Sequence, residues 1–226
     1  MYNHGPKTYN RTNDSGTCFG LPGGERLRRQ RTVAQYRAID LGIFALLLAL
    51  FEFILCKAGT VWFSREAYVV SLTPLFTAVV MMRWGAWGGI HAMLGGILWV
   101  LFYGISLGAG WEHYLIYGLG NLGGMIGLLV LKKAGWKTVR DSAWLTLAYG
   151  AVVMLGMLTG RALIALILSA PLKTLILYYT PEVITLLFTL VALWIVRRLD
   201  GLFENQIHYL KRIHREMQSE EEGRSV

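Results

Sequence analysis

The chain has 226 residues, 54% of them hydrophobic and only 16% charged, a formal net charge of +8 and a mean hydropathy of +0.45. That is the profile of a membrane protein, and it assigns the basic excess to topology and anionic lipid before nucleic acid. The two cysteines, Cys18 in a polar arm and Cys56 in an apolar run, imply neither a disulfide framework nor a metal site.

Residues 1–24 are rich in Gly, Asn and Thr and have little to bury, so a disordered arm is expected. His4 could chelate a metal only with a free N-terminus beside it, and bulky Tyr2 opposes removal of Met1. Residues 25–37, ERLRRQRTVAQYR, predict a basic juxtamembrane helix at an anionic leaflet. No apolar h-region precedes it, so no cleavable signal peptide is expected.

Six apolar segments follow in the membrane domain, residues 38–199, at 38–57, 67–82, 86–106, 113–131, 143–168 and 177–199. Each is near the ~20 residues that cross a bilayer. The second is short and carries Pro74, and only the tight turn Arg83-Trp84-Gly85 separates it from the third. With the N-terminus inside, the inner side receives the basic arm, Arg83, Lys132, Lys133, Lys137, Arg140, Arg197 and Arg198. The outer side receives only Lys57, Arg65 and Lys173. The tail, residues 200–226, opens with GLFENQIHYLKRIHREMQ. Leu202/Phe203, Ile207, Leu210, Ile213 and Met217 recur there at helical spacing. The expected fold is an all-α integral membrane protein with six transmembrane helices, both termini cytoplasmic, and a C-terminal amphipathic helix.

In the first span Ala38, Gly42, Ala45, Ala49, Glu52 and Cys56 follow at steps of three and four, so they share a helix face. Small residues at that spacing let another helix approach closely, which drives association in lipid. Ala38, Gly42, Ala45 and Ala49 therefore read as a docking face. Gly120/Gly124 and Gly123/Gly127 in the fourth span are overlapping GxxxG pairs, read as tight helix packing.

There is no phosphate-binding loop, no H-E-x-x-H and no cysteine cluster, so no catalytic residue, metal or cofactor is assigned and the chain is not expected to be an enzyme. Polar side chains inside spans mark sites by default. Arg161 lies too far inside the fifth span to snorkel easily. It suits either an anionic ligand group or an internal ion pair to Glu52 or Glu182. Glu52 sits in the outer third of the first span, and Asn121 mid-span among glycines. Glu182 opens the last span after Pro181, where a helix N-terminus favours a carboxylate. Aromatic residues, among them Trp62, Trp99, Trp111, Tyr117 and Tyr178, concentrate on the outer side. They fit an interfacial belt or a pocket for a ring-bearing molecule.

Six short spans, the Ala45-Leu-Leu-Leu-Ala49 motif and the run from Ser71 to Gly96, SLTPLFTAVVMMRWGAWGGIHAMLGG, give the chain its likeness. Over residues 38–199 it resembles the substrate-binding S components of energy-coupling factor (ECF) vitamin transporters. The resemblance implies a bacterial plasma-membrane protein that captures a vitamin or related micronutrient at the outer face. It implies docking through the Ala45/Ala49 face on a transmembrane coupling subunit, with two cytoplasmic ATPase subunits. Family pockets are built from the later spans and the loops after spans one, three and five. On that basis Trp62, Trp111, Glu112, Tyr117, Asn121, Arg161, Tyr178 and Glu182 fall in or near the substrate site, joined by Glu52 from the first span. Met1-Tyr2 departs from the Met-His of the metal-specific branch, so nickel and cobalt are not the expected cargo. The alternative from another class is a cell-envelope or sporulation scaffold acting through its cytoplasmic tail.

Overall fold

The computed structural model describes residues 33–62, 70–169 and 182–224, and among them there is no strand. The predicted disordered arm, the predicted basic helix up to residue 32, most of the loop after span five, Tyr178 at the start of span six, and the side chain of Trp62 lie outside the described residues. The chain falls into two units, Met1–Asp40 and Leu41–Val226. The first is described only from Val33, where α1 (Val33–Trp62) begins. The second holds the rest of α1 and the bundle.

Four stretches are long and apolar enough to cross a membrane: Val33–Val61, Thr73–Phe102, Glu112–Ala134 and Ala143–Ile167. The second is not one rod. Its helix α2 (Thr73–Trp84) stops at Gly85, whose φ of 63° suits a residue without Cβ. A 3-10 turn, Gly85–Trp87, leads into α3 (Gly88–Phe102), which runs back along α2. A Cβ on Gly88 would overlap Met81, and one on Gly95 would overlap Thr73. The two arms are therefore an antiparallel hairpin. At 12 and 15 residues they are about 18 and 22 Å long, each short of the roughly 30 Å hydrocarbon core.

Helix α2 is the centre of the bundle. Every residue from Thr73 to Trp84 except Leu75 is buried, and α3, α5 (Gly127–Ala134), α7 (Ala143–Ile167) and α8 (Glu182–Val196) pack around it. From the side of α1, Phe44 and Phe51 meet Phe76, with ring centroids 6.1 and 6.3 Å apart. The third stretch is α4 (Glu112–Gly120), a 3-10 segment Asn121–Ile126 and α5 (Gly127–Ala134). Gly120 ends α4, and the tightened centre after it holds Gly123 and Gly124. These press backbone to backbone on Gly156 and Gly160 of α7 (Ala143–Ile167), so the predicted close packing acquires its partner. The short α6 (Trp136–Asp141) precedes α7, and α8 (Glu182–Val196) is a shorter apolar helix.

The tail departs from expectation at its start. Helical spacing places Leu202 and Phe203 on the amphipathic helix, but that helix, α9, begins only at Gln206. Residues 197–205 are turns, with Gly201 at φ 74°. Asn205 Oδ1 accepts from the backbone amides of Ile207 and His208 and so caps α9. The turn is pulled into the bundle by side chains that helical periodicity does not consider. Phe203 is fully buried against Tyr149, 6.3 Å between centroids. Arg83 donates to the carbonyls of Gly201 and Leu202, while Arg140 pairs with Asp200 and Glu204. The end of the bundle is thus closed by its own chain. Phe203→Ala is expected to lower the unfolding free energy by about 3–5 kcal/mol, read from denaturation in detergent micelles.

Candidate functional site

At the other end of the bundle, polar side chains from four elements converge. Arg161 of α7 is 3% exposed. Its Nε donates to Asn121 Oδ1 at 2.6 Å, and its Nη1 pairs with a carboxylate oxygen of Glu182. The guanidinium carbon lies 4.6 Å from the centroid of the Tyr117 ring, a cation–π contact. Tyr117 stacks in turn on Trp99 of α3 at 4.4 Å. Asn121 is fully buried and spends its amide on the Ala92 carbonyl, 3.0 Å away, which ties the 3-10 segment to α3.

Local sequence explains the geometry. Gly120 and Gly160 let the two backbones touch, and Arg161 follows directly, so its stem runs alongside Gly120. Gly96 leaves room for the Tyr117 carbonyl and the Asn121 amide. Glu182 is the first residue of α8, where the helix dipole favours a carboxylate. A buried guanidinium needs counter-charge and acceptors, and Glu182 and Asn121 supply both. Glu182 Oε2 is buried and has no hydrogen-bond partner among the described residues.

Of the expected site residues, Arg161, Asn121, Tyr117 and Glu182 come together. Of the two carboxylates that could pair with Arg161, the structure selects Glu182. Glu52 belongs to a separate group at the same end. Its Oε1 accepts from Ser71 Oγ at 2.6 Å, Thr73 Oγ1 at 2.8 Å and the amides of Leu72 and Thr73 at 2.9 Å, capping α2 from outside. Trp111 is 71% exposed and outside the apolar cluster of Val100, Ile116, Tyr117 and Ala165 that backs the site. Tyr178 and the Trp62 side chain lie outside the described residues.

The small-residue stripe of α1 changes character along its length. Ala38 and Gly42 are exposed, with nothing within 4 Å of a Cβ placed on Gly42. Ala45 and Ala49 are half-buried, and Glu52 and Cys56 are buried. The stripe runs along the edge of the packed face made by Phe44, Leu48 and Glu52.

Trp99 stands in the sequence among the outer-side aromatics, with no signal that Tyr117 is its stacking partner. Two further sets of residues were not singled out from sequence. Gly156 and Gly160 are a GxxxG pair in plain view. Thr185 and Thr189 stand at i, i+4 in the otherwise apolar α8, and Thr185 Oγ1 accepts from the Ser71 amide at 3.4 Å. No protein-family model matches this chain, and no curated protein and no solved structure matches it.

Proposed function

We propose that the chain is the solute-capturing membrane subunit of an ECF-type importer. It holds a vitamin or related micronutrient, while a separate transmembrane coupling subunit and two ATPase subunits supply the energy. The observation that carries this reading is the convergence of Arg161, Asn121, Tyr117 and Glu182 at one end of an apolar helical bundle. A guanidinium lying over an aromatic ring suits an anionic group attached to a ring. The α1 stripe, exposed at Ala38 and Gly42 and half-buried at Ala45 and Ala49, supports docking of the coupling subunit.

In this reading α1, α2, α3, α4–α5, α7 and α8 all cross the bacterial plasma membrane, which thins around the short α2–α3 hairpin. Both termini are cytoplasmic. Arg83, Lys132, Lys133, Arg140, Arg197 and Arg198 then share the inner side, as the positive-inside bias requires. The test is to purify the full chain in mild detergent, denature it and examine the released material by mass spectrometry. A stoichiometric small molecule, absent from Arg161→Ala, is expected. Nothing bound after incubation with a panel of vitamins overturns the reading.

One observation favours a second reading. Arg161 is satisfied internally by Glu182 and Asn121, as in a scaffold whose buried charges serve its own packing. Such a scaffold acts through its cytoplasmic tail, releases no compound in the same experiment, and yields a protein partner captured by α9.

A further inference from the structure

The two members of the buried ion pair are not held equally. Arg161 is supported from several sides. Its Nε donates to Asn121 Oδ1 at 2.6 Å, and its guanidinium carbon lies 4.6 Å from the centroid of Tyr117. Both supports are themselves anchored, Asn121 on the Ala92 carbonyl at 3.0 Å and Tyr117 on the Trp99 ring at 4.4 Å. The backbone and stem of Arg161 also press on Gly120, which adds a further restraint.

Glu182 has no comparable support. Only its Oε1 meets the guanidinium, at Nη1, and the buried Oε2 has no partner among the described residues. A carboxylate fitted permanently to an arginine sets both oxygens on the guanidinium fork. The Glu182 side chain is 13% exposed against 3% for Arg161, so the glutamate is the more accessible member of the pair. It is also the first residue of α8. There the helix dipole, and first-turn amides that have no partner within the helix, attract a carboxylate that leaves the pair. The carboxylate thus has two favourable positions, and the guanidinium has one.

We propose that Glu182 occupies a ligand's place, and that the Arg161 site binds a monocarboxylate, which displaces Glu182 from the guanidinium. The inference rests on the solute-capture reading and names the substrate class of that site. A guanidinium keeps its proton throughout the working pH range, so the position beside Arg161 always requires an anion. Exchanging one monoanion for another keeps the buried charge balanced, whereas a phosphate dianion leaves an excess. A free carboxylate is not tethered to α8 and can use both oxygens on the fork.

The probe is acetate, and the measurement is thermal unfolding of the purified full chain in detergent. Sodium acetate is compared with sodium chloride at fixed pH and ionic strength. Glu182→Ala is expected to lower Tm in chloride, because the guanidinium loses its anion. Acetate is expected to restore about 4 °C at roughly ten times its half-saturating concentration. Arg161→Leu/Glu182→Ala has no guanidinium and is expected to show equal Tm in the two salts. In the parent Glu182 competes, so the half-maximal response requires at least about ten-fold more acetate. Glu182→Gln keeps the side-chain shape without the charge, and takes the same readings if Glu182→Ala does not fold. Equal Tm in acetate and chloride for the Glu182 variant overturns the proposal. So does a response that survives the loss of Arg161, or one with the same half-maximal concentration in the parent. Rescue by acetate in a protein that releases no compound on denaturation keeps the anion site and discards solute capture. A released compound without rescue does the reverse.

Discussion

Replacing Arg161 with leucine is expected to lower the unfolding free energy by about 3–5 kcal/mol, because it strands the Glu182 carboxylate among apolar helices. Glu182→Leu strands the guanidinium and is expected to cost a similar amount. The double variant Arg161→Leu/Glu182→Leu is expected within about 1 kcal/mol of the parent, since two well-packed leucines remove both desolvation costs. Asn121 Oδ1 loses its donor in the double variant, which sets the residual penalty. Unfolding in mixed micelles followed by tryptophan fluorescence measures all three. Equal damage in single and double variants shows that the pair does not set the stability of this end. The double variant also separates the two functional readings. A capture subunit becomes a folded protein that retains no compound, whereas a scaffold keeps its activity with the ion pair gone.

The parts of this site that sequence reveals are those that stand out against lipid. Arg161, Asn121 and Glu182 interrupt apolar runs, and in hydrocarbon each such interruption demands a partner. Their convergence was therefore legible, although which carboxylate serves Arg161 was not. Glu52 is marked by the same rule, but its partners are the amides at the start of α2. A backbone amide carries no sequence signal. Ser71, Thr73, Thr185 and Thr189 escape notice because a hydroxyl can satisfy itself on its own helix, so its presence in an apolar run implies little.

The fold shows the same division between local and long-range information. The turn at Gly85 is legible because its chemistry is local. Phe203 is misplaced by periodicity because its burial depends on Tyr149, Arg83 and Arg140, all far away in sequence. Small-residue spacing on α1 shows that a helix can approach there. It cannot show that only the lower part of the stripe, around Ala38 and Gly42, stays open while Glu52 and Cys56 are used by the bundle. The GxxxG pairs around Gly123 likewise announce close packing without naming the opposing helix.

That opposing helix supplies the other large effect. Gly160→Leu is expected to cost at least about 3 kcal/mol and to sharply reduce the yield of folded protein. A Cβ on Gly160 would overlap the Gly120 carbonyl oxygen, and a Cβ on Gly156 would overlap that of Gly123. Both obstacles are backbone, so no rotamer change relieves them and the helices must separate. Separation displaces the adjacent Arg161 from Asn121 and Tyr117, so the polar cluster is lost together with stability. Even Gly160→Ala is expected to be destabilising, although alanine favours a helix by roughly 1 kcal/mol over glycine. Gly42→Ala is the contrast, because nothing lies within 4 Å of its Cβ and that helical gain is unopposed. Unfolding midpoints that fall for Gly160→Ala and hold or rise for Gly42→Ala separate close backbone contact from glycine's intrinsic weakness in helices. If both variants move in the same direction, the crossing of α7 on the Asn121–Ile126 segment does not hold the two helices together.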